Sequence, residues 1–280
     1  MDDNDTMIHF NHRSDRARQL TKTFVQDHFE EKNATTKPFH RAKVIKDLTY
    51  VAMTEFGPDL DSILTAYLAV QLQETLPMVL QDVHQLYIAE SEKYANVTYF
   101  FNGGYADPVG GEDRLMIPSP DVPYYDQTPA MSSEALTNQV VADLQAGTHD
   151  LIVMNYANTD MIAHTGNLKA GIAAMEYTDS CLARLEAAVR EKNGILLVSA
   201  DHWKIEEMLN EVTGEIDTEH STNPVPFYLI SQAHRATPLR SDGILGDIAP
   251  TLLQLLGRQQ PAAMTGRSLL SVWVILSDNQ

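Results

Sequence analysis

Short apolar runs alternate with longer amphipathic stretches along most of this chain. Val83–Ala89 reads as a strand, and Leu151–Asn155, Ile195–Ser199 and Phe227–Ser231 are apolar enough to predict buried strands. Between them, Ser132–Ala146 ends at Gly147, Leu168–Lys192 stops at Asn193-Gly194, and Asp247–Leu256 ends at Gly257, three predicted helices with glycine stops. Lys93–Thr98 leads into Tyr99–Phe101 and a Gly103-Gly104 turn, and Met116–Pro123 reads as a proline-rich loop. Upstream, Arg13–Val25 predicts a helix, residues 48–55 a short strand, and the Leu-rich residues 61–80 a further helix, with a module boundary near 57–75. Buried strands alternating with helices predict an α/β fold, a mostly parallel sheet covered on both faces. In such sheets chemistry collects beyond the carboxyl ends of the strands.

Composition narrows the function. Apolar residues make up 44% and charged residues 21%, a globular balance without a disorder signature. No stretch approaches the roughly 20 apolar residues of a membrane span, and the polar start MDDNDTMIHFNHRSDR has no signal-peptide core. Cys181 is the single cysteine, so no internal disulfide forms; it reads as a small buried helix residue of a cytoplasmic protein. A net charge of −18 argues against nucleic acid as a partner, and an anionic substrate would need local positive charge to overcome it.

Three predicted strand ends carry metal-ligand chemistry. NYANTDMIAHTG follows Leu151–Asn155 and holds Asp160 and His164 four residues apart, on one face of a helix if that segment is helical. SADHW sets Asp201 and His202 at the exit of Ile195–Ser199, where an Asp-His pair serves equally as a helix cap. His220 precedes the next strand. Asp with two His suits a borderline-to-hard divalent ion such as manganese or zinc. A lone D-x-x-x-H pair is usually a surface or capping pair; three such features at one sheet edge point to a metal site.

The strings FNHRSDRARQL (10–20), ESEKYANVTYFFNGG (90–104), GEDRLMIPSP (111–120), NYANTDMIAHTG (155–166), SADH (199–202), HSTNPVPF (220–227), GDIAPTLLQLLG (246–257) and MTGRSL (264–269) run over nearly the whole chain. In order and wording the chain resembles the C-terminal portion of the cofactor-independent phosphoglycerate mutases of the alkaline phosphatase superfamily. The resemblance implies an alkaline-phosphatase-like sheet over 75–280 and a remnant of the substrate-binding transferase domain over 1–74. It implies interconversion of 3- and 2-phosphoglycerate through a phosphoserine, with two metal ions, usually manganese. Asp160, His164 and His220 would bind one ion, and Asp201 and His202 would contribute to the other. Lys93 would contact the transferring phosphoryl group, and Arg13 and Arg16 the substrate's anionic groups. Spacing alone reads Arg13 and Arg16 as a solvated helix face and Lys93 as a strand-edge charge.

The chain also departs from the pattern. The family's N-terminal strand, its metal-binding aspartate and its nucleophilic serine have no match; Ser199, Thr165 and Ser221 read as structural, so no catalytic residue is assigned and only one metal site looks complete. The expectation is a chain needing a complementing N-terminal chain; the alternative is a non-catalytic descendant that binds a metal or a phosphorylated metabolite. A phosphatase or phosphodiesterase is a third reading. Where the family continues Asp-His with Gly-Asn, this chain has Trp203-Lys204.

Overall fold

The computed structural model describes residues 1–34, 38–57, 59–60, 62–68, 70–210, 212–217 and 219–271. The chain divides into two compact units, Met1–Gln71 and Leu72–Gln280.

In the first unit β1 (Thr6–His9), α1 (Ser14–Val25), α2 (Phe29–Lys32), β2 (Thr49–Ala52) and β3 (Leu64–Thr65) build a parallel sheet in the order β1-β2-β3. Ala17 of α1 packs with Ala52, Phe56 and Leu60. The buried Thr21 hydroxyl bonds the Ala17 carbonyl at 2.8 Å and the Tyr50 hydroxyl at 2.9 Å, and the Tyr50 hydroxyl meets His9 Nδ1 at 2.7 Å. The predicted helix at 13–25 and strand at 48–55 form within a few residues of their expected limits. The predicted helix over 61–80 does not. Leu64–Thr65 pairs with Val51–Ala52, and the one helix in the range is α3 (Leu76–Val79), with Thr75 at its N-cap and Pro77 in its first turn. Pro77 explains the break: it lacks an N–H, so a helix can begin there but not run through it. Asp61 and Ala69 of that range lie outside the described residues.

The second unit continues with β4 (Gln85–Glu90), α4 (Tyr94–Val97), β5 (Asp113–Ile117), α5 (Ser133–Ala146), β6 (Leu151–Asn155), α6 (Asn158–Ala163), α7 (Leu168–Glu191), β7 (Leu196–Ser199), β8 (Phe227–Ile230) and α8 (Ile248–Leu255). β4 is buried throughout and lies between β5 and β6, parallel to both. Its alternate residues serve two layers. Leu86 and Ile88 pack against Leu136 and Val140 of α5 and Leu185 of α7, while Tyr87 and Ala89 pack with Val97 of α4. The fold is α/β with mostly parallel strand pairs flanked by helices, as expected.

Three details differ from expectation. β5 forms where a loop was read from Met116 onward, because a five-residue strand with Asp113 and Arg114 at its head shows little periodicity. β8 runs antiparallel to β7 and is half open, with Tyr228 57% exposed, rather than being a buried parallel strand. Finally, the sheet is interrupted. Among the described residues β6 pairs only with β4, and β7 only with β8.

The turn from α5 into β6 holds an ion cluster built on the buried Asp143. Gly147 ends α5 in the left-handed region at φ 65°. His149 Nδ1 then meets Asp143 Oδ2 at 2.6 Å, and its Nε2 meets Asp113 Oδ2 at 3.1 Å. Burial pushes the imidazole pKa down, but its hydrogen bonds to both carboxylates and their charge more than offset it, and the net shift is upward. The stabilisation is therefore complete below the ordinary imidazole range and is lost as pH rises through the raised value. His149→Asn should cost about 1 kcal/mol at pH 6, mostly through the buried Asp143 because Asp113 is exposed and screened. The penalty should shrink at pH 9, and urea unfolding of both proteins at the two pH values measures it.

Candidate metal centre

The carboxyl end of β6 turns directly into α6, a six-residue helix that carries Asp160 in its first turn and ends on His164. Asn158 pins this helix. Its side chain is fully buried, donates to Pro129 and Ala174 carbonyls at 3.2 and 3.0 Å, and accepts from Thr178 of α7 at 3.1 Å. After His164 the chain must reverse sharply, and Gly166 does so at φ +69°; a Cβ there would meet Ile216 Cγ1 at 2.4 Å. Asn167 then caps α7 through Ala170 N. The i,i+4 pair read from the sequence is thus on one helical face, held from both sides.

Asp160, His164 and His220 come together. Asp160 Oδ1 lies 3.4 Å from His164 Nε2 and 3.6 Å from His220 Nε2, and the two imidazole nitrogens are 3.2 Å apart. An ion with bonds of about 2.0–2.1 Å in tetrahedral coordination holds its ligand atoms about 3.4 Å apart. The three edges match that spacing, and Asp160 Oδ1 is buried with no hydrogen-bond partner. Three protein ligands with one open corner is the arrangement of a reactive rather than a purely structural metal site. The donor set fits a divalent ion.

Charge around the cluster favours this state. Burial pushes the Asp160 carboxyl up, but the Lys93 hydrogen bond and ammonium, with His164 and His202, hold its pKa below the usual range. Lys93 stands at the N-cap of α4 and reaches Asp160 Oδ2 at 2.5 Å. Burial lowers the pKa of His164, reinforced by Lys204, Lys93 and His202 against the opposing pull of Asp160. Burial also lowers that of His220, with His202 the next cause. Both imidazoles therefore stay neutral, as ligands must, to lower pH than an ordinary histidine.

His202 follows β7 and stacks on His220, centroids 3.7 Å apart and planes 10° from parallel. Its Nδ1 is buried without a hydrogen bond. Asp201 is exposed, with Oδ2 3.6 Å from His202 Nε2, while its Oδ1 accepts from the backbone N–H of His202 at 3.1 Å. Among the described residues no helix begins between β7 and β8, so the helix-capping role the dipeptide also allowed is not realised. Arg13 is the N-cap residue of α1 and Arg16 lies in its first turn, both exposed on the first unit. Arg114 is structural, bonded to the buried Glu112 and to the Ala106 carbonyl.

Spacing did not reveal two further polar groups, Glu90 and Asn155. Among the described residues seven buried side-chain atoms lack a hydrogen bond, and four of them, on Glu90, Asn155, Asp160 and His202, lie at or just beyond the carboxyl ends of β4, β6 and β7. Unpaired groups gathered at one edge mark a place built for a ligand. The available signal was their position as the last residues of their strands.

Residues 64–260 match the metalloenzyme superfamily, and residues 1–58 match the family described as BPG-independent PGAM N-terminus. The chain is 45% identical over 275 residues to the 2,3-bisphosphoglycerate-independent phosphoglycerate mutase of Thermomicrobium roseum, covering 96% of this chain and 51% of that protein. It is 46% identical over 277 residues to the Syntrophotalea carbinolica enzyme of the same name, with 96% and 51% coverage. The crystal structure of Leishmania mexicana phosphoglycerate mutase at low cobalt concentration superposes with a TM-score of 0.82 at 26% identity, covering 97% of this chain and 51% of that one. The chain spans about half the length of the curated relatives it matches, and it belongs to the metalloenzyme superfamily and, within it, to the 2,3-bisphosphoglycerate-independent phosphoglycerate mutases.

Proposed function

We propose that this chain is the metal-binding portion of a cytoplasmic phosphoglycerate mutase that interconverts 3- and 2-phosphoglycerate through a phosphoserine, and that turnover requires the half of its relatives that it does not span, supplied in the same polypeptide or by a complementing N-terminal chain. The observation that carries the reading is the Asp160–His164–His220 cluster, with ligand edges of 3.2 to 3.6 Å, in a chain half as long as its relatives.

Asp160, His164 and His220 would hold one ion, manganese by family resemblance, and Asp201 and His202 would contribute to a second. Bound there, divalent ions stabilise charge on phosphoryl oxygens and favour ionisation of a nucleophilic hydroxyl. Lys93 is proposed to move its ammonium from Asp160 to the phosphoryl group. Arg13 and Arg16 are proposed to take the substrate's carboxylate or phosphate, for which the guanidinium fork is suited. These cations would supply the local attraction that a chain of charge −18 otherwise denies an anionic substrate.

Three hydroxyls close in sequence to the candidate ligands are tied up in local hydrogen bonds, which supports a nucleophile from elsewhere. Thr165 Oγ1 donates to the Ile162 carbonyl at 2.7 Å, Ser199 Oγ to the Pro226 carbonyl at 2.9 Å, and Ser221 Oγ to Glu206. Each is engaged locally. The unpaired edges of β6 and β7, whose carboxyl ends both lead into the cluster, support a missing strand. The same features also fit a non-catalytic descendant that binds metal without turnover.

Mixing this chain with the half of the Thermomicrobium roseum mutase that it does not match should restore manganese-dependent interconversion. A folded, bound partner without turnover decides for the non-catalytic reading. Titrated alone, the chain should take up Mn2+ or Co2+, and Asp160→Asn or His220→Ala should weaken uptake by at least about 100-fold. Because burial lowers both imidazole pKa values, affinity should hold nearly level from pH 8 to 6.5 and fall only below that range. Calorimetric titration across pH tests the sign; a fall already complete by pH 7 contradicts it.

A further inference from the structure

Asp160 and His164 sit on a pinned helix, but His220 sits on a loop and reaches the cluster from outside it. A metal-binding histidine is usually aimed by a hydrogen bond to its second ring nitrogen. Among the described residues Nδ1 of His220 has no such bond; its contacts are through Nε2 and the ring face. Something else must hold the ring in place.

The segment from His202 to Glu207 supplies the hold. The Trp203 carbonyl accepts from Ser221 N at 3.3 Å, making an isolated antiparallel bridge with the residue next to His220. The indole Nε1–H donates to the Pro224 carbonyl at 2.7 Å. Glu206 Oε1 accepts from Asn223 Nδ2 at 3.0 Å and from the Ser221 hydroxyl, and this contact with its neighbours holds the Glu206 pKa down against burial. On the other side of His220, Lys204, only 2% exposed, donates to the Glu207 carbonyl at 3.1 Å and comes within 4.0 Å of Asp217. The same segment starts at His202, whose ring lies flat on that of His220.

We propose that Trp203 and Glu206 are positioning residues of the metal centre, which tie the loop at 220–224 so that the His220 ring faces Asp160 and His164. Trp203 is then a brace that works through its indole N–H. The proposal rests on the metal-centre reading above, and its test is arranged to separate the two.

Three variants of the full chain serve: Trp203→Phe, which keeps the ring and loses the N–H; Glu206→Ala; and Glu206→Gln, whose amide oxygen still accepts both hydrogen bonds. Co2+ is the probe, followed by its visible absorption, and the His220 Cε1–H resonance is followed in the metal-free chain. Trp203→Phe and Glu206→Ala should each weaken Co2+ binding about 10-fold, alter the absorption band and shift the His220 resonance. Glu206→Gln should restore all three. Unchanged affinity, band and resonance in Trp203→Phe and Glu206→Ala, with only a lowered melting temperature, overturns the proposal, as does a Glu206→Gln variant that behaves like alanine. If the wild-type chain takes up no Co2+, the metal-centre reading fails by itself, and the His220 resonance still decides whether Trp203 and Glu206 set the ring.

Discussion

A carboxylate taken out of water needs compensating charge or donors, and the local structure of the second unit is organised around meeting that need at Asp160. One oxygen receives the Lys93 ammonium; the other faces two neutral imidazoles and accepts no hydrogen bond. Were neutralisation the whole purpose, an apolar side chain would serve as well, since buried ion pairs seldom outperform well-packed hydrocarbons. The half-satisfied oxygen is the informative one. A cation held by Asp160, His164 and His220 satisfies all three donor atoms at once, which a lysine on the far oxygen cannot do.

Each supporting feature answers to that constraint. Asn158 anchors α6 to α7, Gly166 lets the chain turn away after His164, and β4 brings Lys93 in from the neighbouring strand. The two imidazoles are kept neutral by burial and by nearby cations, so the electrostatics that lower the Asp160 pKa also prepare its partners. In a chain of charge −18, Lys93 and Lys204 place positive charge beside this cluster.

Much of this was legible beforehand, for definite reasons. The i,i+4 spacing of Asp160 and His164 fixes their common face once β6 and α6 are recognised, and glycine and asparagine stops mark the ends of α5 and α7. Long apolar elements announce themselves; short or half-open ones do not. β5 was hidden by its charged head, and β8 read as buried because apolar content alone cannot report that one face is open. The Leu-rich stretch at 61–80 looked helical until Pro77 is weighed as a starting residue rather than an interior one. Contacts such as Lys93 to Asp160 and Trp203 to Pro224 join residues 67 and 21 positions apart, and no local pattern encodes them.

The incomplete parts of the structure coincide. β6 and β7 each have one edge without a strand partner among the described residues, and the buried groups left without hydrogen bonds include Asn155, the last residue of β6, and His202, just beyond β7. Three of the seven orphaned atoms, on Asn102, Thr128 and Asp143, lie elsewhere, but Asn155 and His202 fall at the two open strand ends. The open edges of β6 and β7 present backbone groups that a further strand would pair with. Open strand edges and orphaned side-chain atoms therefore meet at the same strand ends, and that coincidence is what supports the proposal that further residues complete the site.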